Sequence, residues 1–264
     1  MIIPVDAFDD PRLDEFRDVR DKDRRQAGTF LVEGEVPFRV LMKHARYRPR
    51  AVMLAEGRDD KLADALLRVR AGTPIYVLPQ REMDKVVGFP IHRGILASCA
   101  RREPESVDEL VSGLSDDALV VVALSVVNHD NVGGIFRNAA AFGASAALLD
   151  AVTCDPLYRK AIRVSAGAAL FVPFARERDA RALIGTLRAR RFHVAALSPR
   201  DDAQVVGALP RTGRLAVVVG AEGPGIDPAL MQQCDGVYRI PMAGGFDSLN
   251  VATALALALH VRVG

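Results

Sequence analysis

Three segments of the C-terminal half place glycines beside polar side chains that can bind or orient a reacting group. They are Asn128–Gly143 with Arg137, Val217–Ile226 with Glu222, and Tyr238–Ala252 with Ser248 and Asn250. An arginine presents a planar fork of N–H donors that suits phosphate, whereas amide, hydroxyl and carboxylate groups orient polar ligands. These residue types favour a site that holds a phosphate-bearing substrate beside a small molecule.

The first segment indicates the start of a helix. Asp130 or Asn131 is the predicted N-cap, and Gly133 and Gly134 are expected to let a ligand approach the backbone. Arg137 follows about one turn later, and a helix N-terminus beside an arginine favours phosphate binding. The alternative is a capped amphipathic helix whose arginine is only solvated.

The second segment runs from a β-strand into a loop that contains three glycines, a proline and Glu222. Its spacing is not that of a phosphate-binding P-loop, because the GK[ST] ending is missing, and it is not GxGxxG. Such a loop is typical of small-molecule binding, although Gly-Pro turns also occur without any ligand.

The third segment leads into the last helix. Ser248 or Asp247 is the predicted N-cap, and Asn250 is expected in the first turn. The helix that follows, VATALALALHV, is apolar around its whole circumference, so all of its sides must be covered. Burial in the core of this chain and contact with a second subunit both satisfy that requirement.

Buried parallel strands are predicted around these segments. They are Leu119–Val126, Ala146–Leu149, His193–Leu197 and Leu215–Gly220, which are apolar as is typical of strands buried on both faces. Helices at Gly134–Phe142 and Ala180–Arg190 fit between them. Because ligands bind at the carboxyl ends of the strands of an open parallel sheet, this unit is expected to bring the three segments together.

The first hundred residues predict a smaller α/β domain. Its strands are Phe30–Val32, Ala51–Leu54, Pro74–Leu78 and Ile95–Ala100, and its helices are Pro11–Gln26, Val36–His44, Lys61–Val69 and Arg81–Val87. This alternation indicates a layered domain over residues 1–102. A charged stretch with Pro104 follows. Residues 103–117 are therefore the predicted linker, and residues 118–264 form the second predicted domain.

Composition excludes several classes of protein. Half of the residues are hydrophobic, which is enough for a substantial core. No secretory leader is visible, and the longest apolar run, Leu249–Val261, is too short to span a bilayer, so we expect a soluble, cytoplasmic protein with no membrane partner. The scattered Cys99, Cys154 and Cys234 and the five dispersed histidines form no ligand pair. We therefore expect neither a disulfide nor a metal.

The charge distribution favours the first domain for binding a polyanion. Residues 1–102 carry 20 Lys+Arg against 16 Asp+Glu, whereas the rest of the chain carries 15 against 17. One run without an acid contains Lys43, Arg46, Arg48 and Arg50. This basic run, residues 43–50, also contains Tyr47, which suits stacking on a base, and Arg24 and Arg25 are expected to extend it. The alternative is a solvated basic loop.

The three segments resemble the signature motifs of the SpoU (TrmH-like) RNA 2′-O-ribose methyltransferases, within the SPOUT superfamily. The matching stretches are NVGGIFRNAAAFGA, VVVGAEGPGI and IPMAGGFDSLNVATALALAL, in the order and spacing of the family. Lys160–Gly167, Phe30–Gly34 and His92–Ala97 resemble further recurrent segments of the family. The likeness therefore covers nearly the whole chain.

The resemblance implies a C-terminal parallel-sheet α/β domain with a deep trefoil knot, preceded by a smaller α/β substrate-binding domain. It implies that S-adenosylmethionine binds among the knot loops, at Leu197, Gly220, Ile240, Met242 and Leu249. It also implies a homodimer packed through the knot region and the C-terminal helix, with residues of two subunits near one active site.

Catalytic roles for Arg137, Glu222, Ser248 and Asn250 follow from the same resemblance. A guanidinium loses its proton reluctantly, so we expect Arg137 to clamp a phosphate and stabilise developing alkoxide charge rather than act as a general base. Ser248 and Asn250 are expected to orient acceptor or cofactor, and Glu222 to hold the arginine or the loop. RNA contacts are expected at Asn131 and Arg137, besides the basic run.

The predicted activity is methyl transfer from S-adenosylmethionine to a ribose 2′-hydroxyl of RNA, with ribosomal RNA preferred to transfer RNA because of the added N-terminal domain. One alternative is an RNA-binding homologue without methyltransferase activity, which failure to bind S-adenosylmethionine would favour. Another is a Rossmann-type methyltransferase or dehydrogenase. That class needs a GxGxxG turn early in the sheet, and none follows Leu119–Val126.

Overall fold

The computed structural model describes residues 2–17, 25, 27–44, 46–88, 90–91, 94–243 and 248–264. Arg24, Asp247 and the start of the segment His92–Ala97 lie outside these residues. The chain divides into two compact units, residues 1–103 with 157–171, and residues 104–156 with 172–264. Residues 157–171 thus pack with the first unit, although the sequence prediction gave them to the second domain.

The elements follow in chain order. The strands are β1 (Ile2–Pro4), β2 (Thr29–Glu33), β3 (Pro49–Ala55), β4 (Ile75–Leu78), β5 (Ile95–Ala100), β6 (Leu119–Ala123), β7 (Ala146–Leu149), β8 (Phe174–Arg176), β9 (His193–Leu197), β10 (Gln204–Val205), β11 (Leu215–Val219) and β12 (Gly236–Arg239). The described α-helices are α1 (Glu35–His44), α2 (Asp59–Leu66), α3 (Gln80–Val87), α4 (Val107–Ser112), α5 (His129–Ala141), α6 (Arg159–Val164), α7 (Ala180–Ala189), α8 (Pro228–Met231) and α9 (Val251–Val263). Short 3₁₀ helices cover Pro11–Phe16, Ala168–Leu170 and Val206–Ala208.

The first unit is built on a mixed five-stranded sheet with the order β1-β4-β3-β5-β2. Strands β1, β3 and β4 are parallel, and β5 runs antiparallel to both β3 and β2. Leu13 and Phe16 of the first 3₁₀ helix pack into its core with Met83 of α3. The predicted helix Pro11–Gln26 is a 3₁₀ helix over Pro11–Phe16 and is not continuous, because Arg17 is in an extended conformation.

The second unit is built on a parallel seven-stranded sheet with the order β10-β12-β9-β11-β6-β7-β8. Strands β6 and β11 lie side by side in the middle and are buried along their whole length. The chain first forms β6, then adds β7 and β8 on one side of it, and later places β9, β11 and β12 on the other side. Ligands bind at such a switch point in open parallel sheets.

Helices cover both faces of this sheet. Val111 of α4, Leu187 of α7 and Met231 of α8 pack on one face, in a core with alternate residues of the central strands. On the other face α5 and α9 pack closely together. A Cβ on Gly134 of α5 would lie only 2.8 Å from the Cβ of Ala252 of α9, so the two helix backbones approach closely because Gly134 has no side chain.

One stripe of α9 is left uncovered by this chain. Thr253, Leu257, His260 and Val263 are exposed, and the side chains of Leu257 and Val263 are 42% and 61% accessible. These residues recur at helical spacing, so they share one face. Core burial alone therefore does not cover all sides of this apolar helix.

Among the described residues, no helix is long and apolar enough to cross a membrane. The α/β class predicted from the sequence is confirmed, with a parallel sheet in the second unit. The deep knot implied by the resemblance stays a prediction.

Candidate active site

A cavity of about 440 Å³ lies at the carboxyl ends of β9, β11 and β12. Its walls come from the loops that follow these three strands and from the start of α9. Among the lining residues are Leu197, Gly220, Ile240, Met242 and Leu249. All five residues predicted to bind the cofactor therefore line one cavity. Their role in binding stays a prediction.

The glycine-rich loop after β11 forms one wall of the cavity. A Cβ on Gly220 would lie 2.5 Å from the carbonyl carbon of Gly225, so only glycine permits this close approach of two backbone segments. The loop closes on itself where the Gly225 N–H donates to the Ala221 carbonyl at 3.0 Å. Gly223 and Gly225 have positive φ angles of 84° and 68°. Because this loop lines the cavity, the structure favours small-molecule binding by the loop over a Gly-Pro turn without a ligand.

Asn250 caps helix α9. Its Oδ1 accepts hydrogen bonds from the backbone N–H groups of Ala252 at 3.0 Å and Thr253 at 3.3 Å. The sequence prediction placed the cap at Ser248 or Asp247 and Asn250 inside the helix. The Ser248 prediction is wrong, because α9 starts at Val251.

The Asn250 side chain also joins the three predicted motifs. Its Nδ2 donates to Asn131 Oδ1 at 2.8 Å and to Glu222 Oε1 at 3.1 Å. Glu222 is exposed, whereas Asn131 is only 6% accessible. The site thus has a polar wall made from distant parts of the sequence, in which Glu222 holds Asn250.

Helix α5 begins earlier than predicted. Asn128 is its N-cap, and its side chain accepts from the Asp130 N–H at 2.8 Å, so neither Asp130 nor Asn131 is the cap. Gly134 packs against α9 instead of a ligand. The predicted boundary was wrong because two consecutive glycines, Gly133 and Gly134, are typical of a loop. In the structure they lie inside the helix, where Gly134 contacts α9.

Arg137 lies away from both the helix N-terminus and the cavity of its own chain. It is the ninth residue of α5, about 12 Å along the axis from the first residue at 1.5 Å per residue. It is exposed, it is not among the lining residues, and no hydrogen bond or ion pair joins it to another described residue. The predicted phosphate seat that combines Arg137 with the N-terminus of its helix is therefore wrong.

Several lining residues were not singled out from the sequence. They are Ser198, Pro199, Tyr238, Val251 and Ala254, among others. The Tyr238 hydroxyl lies 2.9 Å from His193 Nε2, and burial raises the pKa of Tyr238. Most of them could have been predicted from their place in the sequence, because they directly follow a predicted strand or begin the last helix. Ser248 lines the cavity as well and is exposed.

The basic run of the first unit is less uniform than its sequence. Lys43, Arg48 and Arg50 are exposed and Arg46 is half-buried, while Arg50 Nε lies 2.8 Å from Glu15 Oε1. The stacking role predicted for Tyr47 is wrong. Its ring is 5% accessible and packs edge-on against Phe30, with 5.0 Å between centroids. Burial also raises the pKa of Tyr47.

Metal-ligating side chains are not clustered within the part of the chain that the structure describes. No group of three or more His, Cys, Asp or Glu residues there is placed to hold a metal ion. The described site is instead built from backbone, amide, hydroxyl and carboxylate groups around an apolar wall.

Comparison with known proteins decides the family. Residues 118–260 match the SpoU rRNA methylase family. The chain belongs to this family. It is 43% identical, over 96% of its own length and 89% of the relative, to an uncharacterized tRNA/rRNA methyltransferase of Mycobacterium bovis. It is also 29% identical to the 23S rRNA (guanosine-2′-O-)-methyltransferase RlmB of Acinetobacter baylyi, over 78% of this chain and 85% of that protein.

Solved structures show the same fold. This SpoU-family chain superimposes on the AdoMet-bound rRNA methyltransferase of Sinorhizobium meliloti with a TM-score of 0.83 and 20% identity, over 99% of this chain and 97% of the other. For the SpoU methyltransferase AviRb of Streptomyces viridochromogenes, the TM-score is 0.82 at 23% identity, over 96% and 98% of the two chains. The likeness therefore extends over both units.

Proposed function

We propose that the chain transfers a methyl group from S-adenosylmethionine to the 2′-hydroxyl of a ribose in RNA. The observation that carries the proposal is the cavity, because its wall unites the five residues implied to bind the cofactor with Glu222, Ser248 and Asn250. Membership of the SpoU rRNA methylase family and the similarity to RlmB support the same reaction.

The cavity suits S-adenosylmethionine in size and lining. Small-molecule sites usually measure about 300–1,000 Å³ and are mainly apolar with a few placed polar groups. Leu197, Ile240, Met242 and Leu249 supply the apolar wall, and the tight turn at Gly220 brings backbone groups to the cavity. When bound, the cofactor supplies a methyl group on a sulfonium, whose thioether is a good leaving group.

The side chains of the polar wall are assigned to orientation of the acceptor. As the bond from the ribose oxygen to the methyl carbon forms, the sulfur–carbon bond breaks and the hydroxyl proton leaves to water or to a phosphate oxygen. Asn250 is held from two sides by Asn131 and Glu222, so its position is fixed before the acceptor binds. Ser248 offers a hydroxyl at the same cavity, and Arg137 clamps a phosphate of the acceptor nucleotide.

A homodimer is part of the proposal. The exposed stripe of α9 is apolar at Leu257 and Val263, and Arg137 is exposed and does not line the cavity of its own chain. Packing of two copies through α9 covers the stripe and lets Arg137 of one subunit serve the cavity of the other. Each active site then needs both subunits.

The substrate proposed is ribosomal RNA, with transfer RNA as the second choice, and the place of action is the cytoplasm, where both occur. Residues 1–102 are assigned to RNA binding and residues 118–264 to methyl transfer, with residues 103–117 between them. Lys43, Arg46 and Arg48 present the basic surface of the first unit, and Arg50 shares its charge with Glu15. Asn131 is assigned to the site through Asn250, because it is buried.

Transfer of labelled methyl from S-adenosylmethionine to unmodified ribosomal and transfer RNA pools tests the proposal. Label in one pool that protects the modified ribose from alkaline cleavage is the expected result. Cofactor binding without label in either pool points to a partly assembled ribosome as the substrate. No label and no cofactor binding would favour an RNA-binding homologue without methyltransferase activity.

Mixing inactive subunits tests the shared active site. Arg137→Ala and Gly220→Ala subunits are each expected to be inactive as homodimers. In a mixed dimer, the intact cavity of the Arg137→Ala subunit meets the intact arginine of its partner, so about a quarter of the wild-type activity is expected from random pairing. No recovery would place Arg137 and the cavity of the same chain in one site.

A further inference from the structure

A second polar cluster lies in the same unit, where β6, β7 and β8 end. It consists of Ser125, Asp150, Thr153 and Arg176, and none of them lines the cavity. Asp150 and Thr153 are buried, at 5% and 2% accessibility. A charged side chain is costly to bury unless its hydrogen bonds are satisfied, so the contacts of Asp150 define what the cluster does.

The Asp150 carboxylate ties two loops together. Its Oδ2 accepts from the backbone N–H of Ser125 at 2.9 Å and from the Ser125 hydroxyl at 3.1 Å. Its Oδ1 accepts from the backbone N–H of Thr153 at 2.7 Å. The first loop leads from β6 to α5, and the second follows β7.

Further bonds lock the same two loops. The Thr153 hydroxyl donates to the Ala123 carbonyl at 3.0 Å and accepts from the Val126 N–H at 3.2 Å. The Arg176 guanidinium, at the end of β8, donates to the carbonyls of Asp150 at 2.5 Å and Thr153 at 2.6 Å. Three neighbouring strand ends are thus joined by side chains rather than by the sheet ladder.

Ser125 is held in an unfavourable conformation. Its φ angle is +57°, in the left-handed region that side chains other than glycine rarely adopt. Residues held in this way persist where the surroundings over-determine them, and they cluster at functional sites. The bonds from Asp150 to both the N–H and the hydroxyl of Ser125 are what hold it here.

The constrained loop is connected to the active site through α5. Three residues after Ser125, Asn128 caps α5, and Asn131 in the first turn of that helix accepts from Asn250. Asn250 in turn caps α9 and donates to Glu222 at the cavity. A change in the direction in which the loop enters α5 would therefore move Asn131, Asn250 and the exposed Arg137 together.

We propose that Asp150 is a positioning residue for methyl transfer, which sets the entry of α5 through Ser125 and so aligns Asn131, Asn250 and Arg137. The inference rests on the proposed function. It assigns to the reaction a residue that touches neither the cavity nor the acceptor, and Ser125 and Arg176 are its immediate supports.

The variant Asp150→Asn tests this role. The amide keeps the shape of the carboxylate, but its nitrogen donates hydrogen bonds and cannot accept them. The amide nitrogen therefore meets the N–H group of either Ser125 or Thr153, and that hydrogen bond is lost. We expect kcat to fall by roughly 10- to 100-fold, because small misplacements of reacting groups cost that much. The Kd for S-adenosylmethionine should rise much less than kcat falls, because most of the cavity wall comes from the loops after β9, β11 and β12, which Asp150 does not contact. An unchanged kcat would overturn the proposal.

Asp235→Asn is the matched control. Asp235 also accepts from a backbone N–H, that of Val194 at 2.9 Å, and lies 3.2 Å from Arg188, but it precedes β12, which is next to the edge strand on the other side of the same sheet. The control is expected to lower the melting temperature and leave kcat intact. An equal fall of kcat in both variants would assign Asp150 to general stability instead.

The double variant Asp150→Asn, Ser125→Gly separates strain from positioning. Glycine adopts a positive φ without cost, so Ser125→Gly should recover melting temperature lost in Asp150→Asn. Because the loop is then less constrained, kcat should stay low. Recovery of both properties would mean that Asp150 only compensates for the strain at Ser125.

Hydrogen exchange supplies a readout that does not depend on activity. The amides of Ala252 and Thr253, which Asn250 caps, should exchange faster in Asp150→Asn than in the wild type or in Asp235→Asn. Unchanged exchange there overturns the inference even if the chain methylates RNA. Absence of methyl transfer by the wild type, in contrast, overturns the proposed function, and the exchange result still decides whether Asp150 controls Asn250.

Discussion

The cavity of the second unit and the basic run of the first unit hold their side chains in different ways. At the cavity, loops after three parallel strands converge, and one amide, Asn250, bonds to two other motifs and to the start of α9. In the basic run, Arg48 is exposed, Arg46 is half-buried and Tyr47 lies in the core. Loops at neighbouring strand ends fix the positions of several side chains relative to one another. In a run of surface residues, by contrast, each side chain has its own burial and its own contacts.

This difference implies different responses to substitution. A position in the cavity wall is coupled to its neighbours by backbone contacts, so a small change there should affect binding strongly. Exposed cations act through charge that solvent screens, so each should contribute modestly and roughly independently.

The largest effect is expected for Gly220→Ala. The new Cβ would lie 2.5 Å from the Gly225 backbone, so the loop must move and S-adenosylmethionine binding should weaken by more than about 100-fold. Calorimetric titration measures this. Gly223→Ala is the control, because its Cβ meets nothing within 4 Å and only the φ of 84° is unfavourable. Equal losses in the two variants would contradict a specific role for the Gly220 turn.

The next effect is expected for Arg137→Ala. Loss of a group that stabilises developing charge should lower kcat by about 10²-fold. Because Arg137 does not line the cavity, the affinity for S-adenosylmethionine should stay unchanged. Single-turnover methyl transfer and calorimetry measure the two quantities. A parallel loss of cofactor binding would show that Arg137 belongs to the cofactor site.

A smaller effect is expected for the double variant Lys43→Gln, Arg48→Gln. Removal of two exposed cations should weaken RNA binding severalfold and reduce the slope of log K against log salt by about 1.4 to 1.8. Fluorescence anisotropy at several salt concentrations measures the slope. Arg68→Gln, Arg70→Gln is the control, because these exposed cations follow α2 in the same unit. The same slope change in both variants would mean that the basic run is only a solvated loop.

The smallest effect is expected for Tyr47→Phe. The ring is buried against Phe30, so it is not accessible for base stacking, and RNA affinity should change by less than about two-fold. Loss of its hydroxyl should cost about 1 kcal/mol of stability. Anisotropy and thermal unfolding measure both. A larger loss of RNA affinity at unchanged stability would show that Tyr47 contacts RNA after all.

The sequence by itself determined the α/β class and most strands. Strands β5, β7 and β9 have the predicted bounds, because short apolar runs bounded by turn residues are typical of buried strands. Through the resemblance to the SpoU family it also predicted five residues that line the cavity, but not Ser198, Tyr238 or Ala254. These features depend on patterns within short segments, so they can be predicted from the sequence without the tertiary structure.

Only the tertiary structure decided how the site is assembled. The start of α5 at His129 depends on Gly134 packing against Ala252, and the cap of α9 depends on Asn250 meeting Asn131, which is 119 positions away in the sequence. The burial of Tyr47 depends likewise on Phe30. Such contacts join residues that are distant in sequence, and no propensity or spacing of one segment contains information about its partner.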